Sequence, residues 1–209
     1  MLDLERASNV QLEIAKRARF DGLGRAPKRV ACVDVAYSRA LAVGAAVVQD
    51  VRSRSTIDEA VCVTRVSVPY VPGFLAFREL PPMIAALKAL SSDFDVVLVN
   101  GHGRAHPRRA GIATHLGVVL GVPSVGIARR RLVGSEVEGR AGLLLVEGSE
   151  VLGVVLVLGG SKFYVSPGNI LTVDEAKAVV KLVSDDRGVI PLRVADELSK
   201  VAVRWITES

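Results

Sequence analysis

The run Phe94–Val99 (FDVVLV) constrains the fold more than any other segment of this chain. It is short and almost wholly apolar, whereas a strand with one face in water alternates apolar and polar side chains. Such a run is typical of a strand that is buried on both faces of a sheet. A sheet of this kind needs covering layers, so the segment predicts an α/β fold.

Other apolar segments predict the order of the elements. Strands are predicted at Arg29–Tyr37, Ala40–Asp50 and Thr56–Val68, then at Phe94–Val99, Pro123–Ala128 and in a hairpin within Gly142–Val157. Amphipathic spacing, helix-opening prolines and the capping box Thr172-x-x-Glu175 predict the helices. These cover Asn9–Phe20, Pro81 to about Leu90, a segment from Pro107, Thr172 to about Val183, and Leu192–Trp205. The order indicates one α/β domain over residues 1–209, with a mixed sheet that is antiparallel first and parallel later.

The composition excludes several classes of protein. Of 209 residues, 50% are hydrophobic and 23% are charged, which excludes a disordered chain. No apolar run approaches the roughly 18 residues of a membrane helix. The first residues, Met1–Arg6, carry acids where an export signal needs bases. We therefore predict a cytoplasmic protein with no membrane partner, in which Cys32 and Cys62 are free thiols. The composition does not determine the oligomeric state, for which a monomer is the default expectation.

The positive charge is concentrated in one segment. The chain has 27 Lys and Arg against 22 Asp and Glu, a net charge of +5. Gly101–Arg131 contains no acid and carries six arginines: Arg104, Arg108, Arg109, Arg129, Arg130 and Arg131. The rest of the chain therefore sums to about −1. A basic segment of this kind indicates either a polyanionic partner or merely a solvated charged surface, and charge alone leaves both open.

Two polar features stand in places where polar groups are costly. Asp34 lies inside an apolar strand, so it either binds a cation or is a structural acid that accepts backbone hydrogen bonds. The loop Asn100–Pro107 follows the buried strand and contains two glycines, His102, His106 and Arg104. It is predicted at the carboxyl edge of the sheet, where α/β proteins bind ligands.

The segment Pro69–Phe74 places a tyrosine between prolines. The prolines stiffen the backbone and fix the position of the Tyr70 ring, which suits stacking on nucleobases, although a packed turn is the alternative. Glu79 follows shortly after and adds a carboxylate that is able to converge with Asp34.

Three strings in this order resemble the successive signatures of the endonuclease V family. They are Val33–Tyr37 (VDVAY), Pro69–Glu79 (PYVPGFLAFRE) and Gly101–Gly111 (GHGRAHPRRAG). The resemblance implies a ribonuclease-H-like fold, with a five-stranded mixed sheet flanked by helices. It also implies a Mg²⁺-dependent DNA-repair endonuclease, with Mn²⁺ as a substitute metal. The family flips out deaminated bases, chiefly deoxyinosine and in some members inosine in RNA, and hydrolyses the second phosphodiester bond 3′ to the lesion.

The resemblance also implies roles for individual residues. The metal-site positions are Asp34, Glu79 and Asn100, and the catalytic set adds His106 and Arg129. The base pocket comprises Gly73, Leu75, Gly101, Gly103, His106 and Gly111. The DNA wedge is Pro69, Tyr70, Val71 and Pro72. The phosphate-binding arginines are Arg104, Arg108, Arg109, Arg130 and Arg131.

The sequence departs from the family pattern near the metal site. Asn100 stands where the family has aspartate, Arg129 or Arg130 where it has lysine, and Asn169 where it has histidine. A neutral amide is a poorer Mg²⁺ ligand, and an arginine does not act as a proton donor. Three hypotheses follow: an active endonuclease, a lesion-binding protein that no longer cuts, and a related hydrolase of another phosphodiester such as RNA.

Overall fold

The computed structural model describes residues 2–139 and 142–208 and contains one large mixed sheet. Within the described residues the sheet has nine strands, whose bounds are β1 Arg29–Ser38, β2 Leu41–Asp50, β3 Thr56–Arg65, β4 Val96–Asn100, β5 Ser124–Ala128, β6 Ser135–Gly139, β7 Gly142–Glu147, β8 Glu150–Leu158 and β9 Ser161–Asn169. The strand order is β3-β2-β1-β4-β5-β9-β8-β7-β6. A separate ribbon pairs β10 (Ser184–Asp185) with β11 (Gly188–Val189).

Five helices lie in the described part of the chain. Their bounds are α1 Leu4–Arg17, α2 Leu75–Ala89, α3 Ile112–Leu120, α4 Val173–Leu182 and α5 Ile190–Glu208. The predicted capping box is confirmed, since Thr172 caps α4 and Glu175 bonds back to the backbone of the cap residue. None of the described helices is both long and apolar enough to span a membrane.

The predicted α/β class with a mixed sheet is confirmed, but the count of five strands is wrong. β1, β2 and β3 are antiparallel, and β1, β4 and β5 are parallel, in the order that the sequence predicts. The sheet then continues antiparallel through β9, β8, β7 and β6. β9 was missed because it contains Pro167 and Gly168, two residues that ordinarily end a strand.

Helices cover both faces of the central strands, as the apolar run Phe94–Val99 predicts. Along β4, Val97 and Val99 pack in one core cluster with residues of α2 and α3. Val96 and Leu98 pack in a second cluster with residues of α4 and α5. All four side chains are fully buried. The end of β4 therefore emerges between two helical layers, where side chains from both layers converge.

Three helices begin several residues away from the predicted start, and the first of them, α1, covers Leu4–Arg17 rather than Asn9–Phe20 because Asp3 caps its N-terminus. α2 begins at Leu75, so Pro81 and Pro82 lie inside it although an interior proline costs about 3 kcal/mol. Pro81 is exposed, but Pro82 is buried, and Leu80 and Met83 on either side of the prolines pack in the core, which explains why packing prevails over this local cost. α3 begins at Ile112 rather than at Pro107, because the segment between them is an irregular turn in which Arg109 has a φ of 54°.

Candidate functional site

Asp34 and Asn100 meet at the carboxyl edge of the sheet. In the parallel pair of β1 and β4, Val33 lies beside Val99, so the next residue of each strand reaches the same edge. Asn100 Nδ2 donates a 2.7 Å hydrogen bond to Asp34 Oδ1, and Ser199 Oγ on α5 donates to Oδ2 at 3.0 Å. Burial raises the pKa of Asp34, although both hydrogen bonds favour the charged carboxylate. The side chain is thus oriented at a place where an uncompensated negative charge is costly.

Glu79 on α2 is the second carboxylate of the site. The Tyr37 hydroxyl donates a 3.1 Å hydrogen bond to Glu79 Oε1. Burial raises the pKa of Glu79 to about 7, and the charge on Asp34 adds to the increase, while Tyr37 and Arg78 oppose it. The two carboxylates therefore interact electrostatically, and a bound cation would relieve their repulsion.

Two residues of α5 belong to the site although sequence reasoning missed them. Ser199 is fully buried and bonds to Asp34. Asp196, one helical turn earlier, raises the pKa of Asp34 through its charge and lines a cavity of about 190 Å³ together with Asn100 and Arg129. Their spacing of three residues places both on one helix face. That spacing is visible in the sequence, but it is equally typical of a helix face that is polar because it is exposed to solvent.

The oxygen donors fit a hard divalent cation. Among the described residues, no three Asp, Glu, His or Cys side chains lie close enough to hold a metal ion by themselves. Mg²⁺, however, is commonly held by one or two carboxylates, with water and substrate phosphate completing its shell. Asp34 and Glu79 supply two carboxylates, and Asn100 supplies a neutral amide oxygen at the same edge.

A second cavity, of about 330 Å³, adjoins this edge. Its volume lies in the range of about 300–1,000 Å³ that is usual for ligand pockets. Asn100 and Arg129 line the smaller cavity, whereas the next residues along the chain, Gly101 and Arg130, line the larger one. The two cavities therefore open beside consecutive residues at the ends of β4 and β5.

Two helix starts face the larger cavity. The N-cap residues of α2 and α3 are Phe74 and Gly111, and neither offers a side-chain hydrogen bond to the first turn. At the start of α3, the Gly111 and Ala113 N–H groups donate to the Gly103 and His102 carbonyls. Leu75 and Ile112, the first residues of the two helices, both line the cavity, so their N–H groups lie beside it. The cavity is thus suited to a ligand that accepts hydrogen bonds.

Five of the six residues predicted for the base pocket line this cavity: Gly73, Leu75, Gly101, His106 and Gly111. Gly103 is not among the lining residues; its N–H donates to Ser166 Oγ, and a Cβ atom there would overlap the Pro167 carbonyl. Gly101 has a φ of 155° and a Cβ there would strike Ile112, so a larger residue at this position would deform the cavity wall.

His106 is occupied by backbone contacts on both ring nitrogens. Its Nδ1 accepts from the Arg108 N–H at 3.2 Å, so the proton is on Nε2, which donates to the Gly73 carbonyl at 3.1 Å. Burial lowers its pKa to about 4. A neutral imidazole with both nitrogens engaged orients the loop around Gly73, and it is poorly placed to transfer a proton.

The predicted wedge is exposed at the rim of the larger cavity. The Tyr70 side chain is 66% exposed and also lines the cavity. The turn around it is closed by the Phe74 N–H, which donates to the Val71 carbonyl at 3.0 Å. Pro69 and Pro72 flank this turn, so a large ring projects from a short, stiff segment.

The arginines of the basic segment divide into three groups. Arg104 and Arg109 form ion pairs with Glu150, and Arg109 also pairs with Glu147. Arg108 stacks over the Phe74 ring at 4.3 Å, and Arg129 stacks over Phe163 at 4.0 Å. Arg130 and Arg131 are exposed and line the larger cavity. Their positions suit phosphate contacts better than those of Arg104 and Arg109, whose charges are balanced by acids.

The lowered pKa values of the three histidines predict that the fold loses stability in acid. Burial lowers the pKa of His102, His106 and His115 to about 4, whereas an unfolded histidine titrates near about 6.5. The unfolded chain therefore binds more protons between these values, and the histidine contribution to stability is lost as the pH falls from about 6.5 to 4. Asp34 and Glu79, with raised pKa values, act in the opposite sense.

We expect His115→Gln to reduce the loss of Tm between pH 7 and pH 5. His115 lies on α3 outside both cavities and meets the Phe77 ring edge-on at 5.3 Å. Comparing the two pH values within each protein cancels any general loss of packing. If the variant and the wild type lose the same number of degrees, His115 does not titrate as its burial implies.

Comparisons with known proteins agree on one family. The family model for endonuclease V matches residues 10–197 of this chain. An endonuclease V from Aeropyrum pernix is 42% identical over 199 residues, which cover 93% of this chain and 78% of the relative. The crystal structure of the endonuclease V from Streptomyces avermitilis has a TM-score of 0.91 and 37% identity, covering 99% of this chain and 96% of that one.

A third relative was solved with nucleic acid. The endonuclease V of Ciona intestinalis, in complex with a 24mer DNA containing an inosine followed by a ribo-adenosine, has a TM-score of 0.84 to this chain. The two are 26% identical, and the match covers 97% of this chain and 98% of the other.

Proposed function

Because this chain belongs to the endonuclease V family, we propose that it is a divalent-metal-dependent endonuclease that acts at deaminated bases, chiefly deoxyinosine. In this proposal it hydrolyses the second phosphodiester bond 3′ to the lesion. The observation that carries it is that a ligand-sized cavity, lined by the first residues of α2 and α3, lies one residue along the chain from the carboxylate edge.

The cavity supports selection of a deaminated base by hydrogen-bond polarity. Deamination of adenine replaces an exocyclic amine, which donates, by a carbonyl, which accepts. The N–H groups of Leu75 and Ile112, at the starts of α2 and α3, are donors beside the cavity, so they match the carbonyl and oppose the amine. An adenine in this cavity would leave buried donors unpaired, at a cost of about 1–3 kcal/mol each.

The position of Tyr70 supports base flipping. Taking a base out of the stack costs a few kcal/mol, and less for a mispaired base such as inosine. A ring at the cavity rim is placed to fill the gap that the flipped nucleotide leaves in the duplex. Arg130 and Arg131 beside the cavity would contact phosphates, a contribution that weakens as salt rises.

The carboxylate edge supports phosphodiester hydrolysis. Asp34 and Glu79 would hold the metal, with Asn100 Oδ1 as a neutral ligand and Asp196 facing the same edge. A divalent cation bound there supplies Lewis-acid stabilisation of the phosphate charge and activation of the attacking water. Ser199 and Asn100 orient Asp34 through hydrogen bonds. Arg129, flat on Phe163, adds positive charge beside the cavity without acting as a proton donor.

A second candidate function rests on Asn100. An amide in place of a carboxylate removes one negative charge from the edge that would bind the cation. The second candidate is therefore a protein that binds inosine-containing nucleic acid in the same cavity and cuts it slowly or not at all. It shares the wedge and the cavity with the first and differs only in the metal site.

A cleavage assay separates the two candidates. A labelled duplex with one inosine, and the same duplex with adenine there, are incubated with protein in Mg²⁺, in Mn²⁺ and in EDTA. The proposed function gives a metal-dependent nick one nucleotide beyond the inosine and none with adenine. Preferential binding of the inosine duplex without a nick, even in Mn²⁺, favours the second candidate. A parallel substrate with inosine in RNA measures the preference between DNA and RNA.

We expect Tyr70→Ala to weaken binding to the inosine duplex by roughly tenfold, because stacking of one base on an aromatic ring contributes about 1–3 kcal/mol. Tyr70→Phe keeps the ring and retains the affinity. Binding is measured in EDTA, so that cleavage does not intervene. Equal affinities for wild type and Tyr70→Ala would show that Tyr70 does not act as a wedge.

A further inference from the structure

Gln11, on α1, is a buried polar residue whose contacts converge on the larger cavity. The buried face of α1 consists of Ala7, Gln11 and Ile14, and Gln11 is only 1% exposed. An apolar side chain would suffice there for packing, since a buried amide is costly unless its hydrogen bonds are satisfied. Gln11 also lines the cavity.

The amide of Gln11 bridges the two helix starts. Its Nε2 donates to the Gly73 carbonyl at 2.9 Å and to the Ala110 carbonyl at 3.5 Å. Gly73 immediately precedes Phe74, the N-cap of α2, and Ala110 immediately precedes Gly111, the N-cap of α3. A single side-chain amide thus ties together the residues from which both N–H-presenting turns begin.

The same amide also fixes an arginine behind the cavity wall. Gln11 Oε1 accepts a 2.6 Å hydrogen bond from Arg108 Nε, and Arg108 Nη2 donates to the Gly73 carbonyl at 3.0 Å. His106 donates to that carbonyl as well. The Gly73 carbonyl therefore receives three side-chain donors, and Gln11 is the one that extends the network to α3.

We propose that Gln11 is a positioning residue for base recognition, one that holds the N-termini of α2 and α3 at the separation needed to read a flipped deaminated base. The inference rests on the proposed function, because it gives Gln11 a purpose only if a base enters the cavity. The hydrogen bonds of Gln11 join it to Gly73, Ala110 and Arg108 and not to the carboxylate edge, so it acts on selection of the base and leaves the chemical step alone.

Two substitutions test the bridge. Gln11→Met removes both the donors and the acceptor with little change in length. Gln11→Glu keeps an acceptor for Arg108 and loses the donors to Gly73 and Ala110. Ile14→Ala, on the same buried face of α1, is the matched control, since it loosens the helix without touching the network.

The readout is the ratio of affinities for the inosine duplex and the matched adenine duplex, measured at equilibrium in EDTA. We expect both Gln11 variants to lower this ratio by about tenfold, as expected for loss of one buried hydrogen bond to the helix starts. The cleavage rate at saturating substrate stays within about twofold of wild type, so that KM changes more than kcat. Ile14→Ala lowers Tm and keeps the affinity ratio.

Each outcome decides the proposal. If folded Gln11→Met and Gln11→Glu retain the wild-type ratio, Gln11 is a packing residue and the inference is wrong. If Ile14→Ala lowers the ratio as much as they do, the effect belongs to α1 as a whole, which also overturns it. If the wild type itself binds both duplexes equally, the proposed function fails, and the inference fails with it for a distinguishable reason.

Discussion

We expect Asp34→Asn to reduce metal-dependent cleavage of an inosine-containing duplex by at least about 10³-fold, since even one preorganised group at a reacting centre is worth about 10²–10³. Asp34 is the buried carboxylate on which the hydrogen bonds of Asn100 and Ser199 converge. With a second amide beside Asn100, Glu79 and Asp196 would be the carboxylates that remain at this edge. Single-turnover rates at saturating Mg²⁺ and Mn²⁺ measure the effect.

The same substitution should raise stability in the absence of metal. Burial raises the pKa of Asp34, so its ionised form destabilises the folded chain at pH 7, and a neutral amide removes that cost. Loss of activity together with a higher Tm in EDTA is the pattern expected for a functional carboxylate. Asp58→Asn is the control, because Asp58 accepts from the backbone N–H groups of Ser91 and Ser92 away from the site. Cleavage by Asp34→Asn within tenfold of wild type would contradict its assigned role.

The second large effect is expected from Asn100→Asp. A further negative charge a few ångströms from a cation contributes about 1–4 kcal/mol at the dielectric of a protein surface or of water. The Mg²⁺ concentration for half-maximal cleavage should therefore fall by about tenfold or more. Without metal, the variant places a second carboxylate against Asp34 and loses the 2.7 Å hydrogen bond, so its Tm in EDTA should fall.

The dependence of Tm on metal distinguishes cation binding beside residue 100 from a purely structural role of that residue. In Asn100→Asp, added Mg²⁺ should restore the Tm that the new charge removes, because the cation compensates the paired carboxylates. In Asn100→Ala, which loses the amide and gains no charge, Mg²⁺ should change Tm no more than in wild type. A variant Asn100→Asp that loses Tm and recovers none of it in Mg²⁺ would show that this edge does not bind the cation.

The elements that local chemistry determines were predictable from the sequence. The apolar run of β4 indicated a strand covered on both faces, and Thr172 with Glu175 indicated the start of α4. The start of α2 was not predictable in this way. The prolines at 81 and 82 suggested a helix start, and only the packing of α2 on the sheet explains why the helix begins six residues earlier.

The candidate site, too, was predictable from the sequence only in part. Asp34, Asn100 and the loop after β4 follow from strand order, because the parallel pairing of β1 with β4 brings Asp34 beside Asn100 where β4 ends. Asp196 and Ser199 reach that edge from the last helix, and no local pattern indicates how α5 is oriented. The role of Gln11 was not predictable either. The sequence shows a polar residue on a helix, but its hydrogen-bond partners lie 62 and 99 residues away.

Charge counting was the least reliable part of the sequence prediction. The basic segment carries six arginines, yet Arg104 and Arg109 are balanced by Glu147 and Glu150 on the β7–β8 hairpin. These acids lie outside the segment, so a local sum omits them. The positive charge at the cavity is therefore carried chiefly by Arg130 and Arg131, and substitution of these two should reduce the salt dependence of binding more than substitution of Arg104 and Arg109.

The proposed function requires that the end of β4 binds a divalent cation although position 100 is asparagine. Anomalous scattering from crystals soaked in Mn²⁺ tests this directly. We predict a peak bonded to the carboxylates of Asp34 and Glu79, with Asn100 and Asp196 at its margin, and no such peak in Asp34→Asn crystals. Wild-type crystals that show no manganese at this edge, at concentrations that saturate ordinary Mn²⁺ sites, would contradict the proposed metal centre.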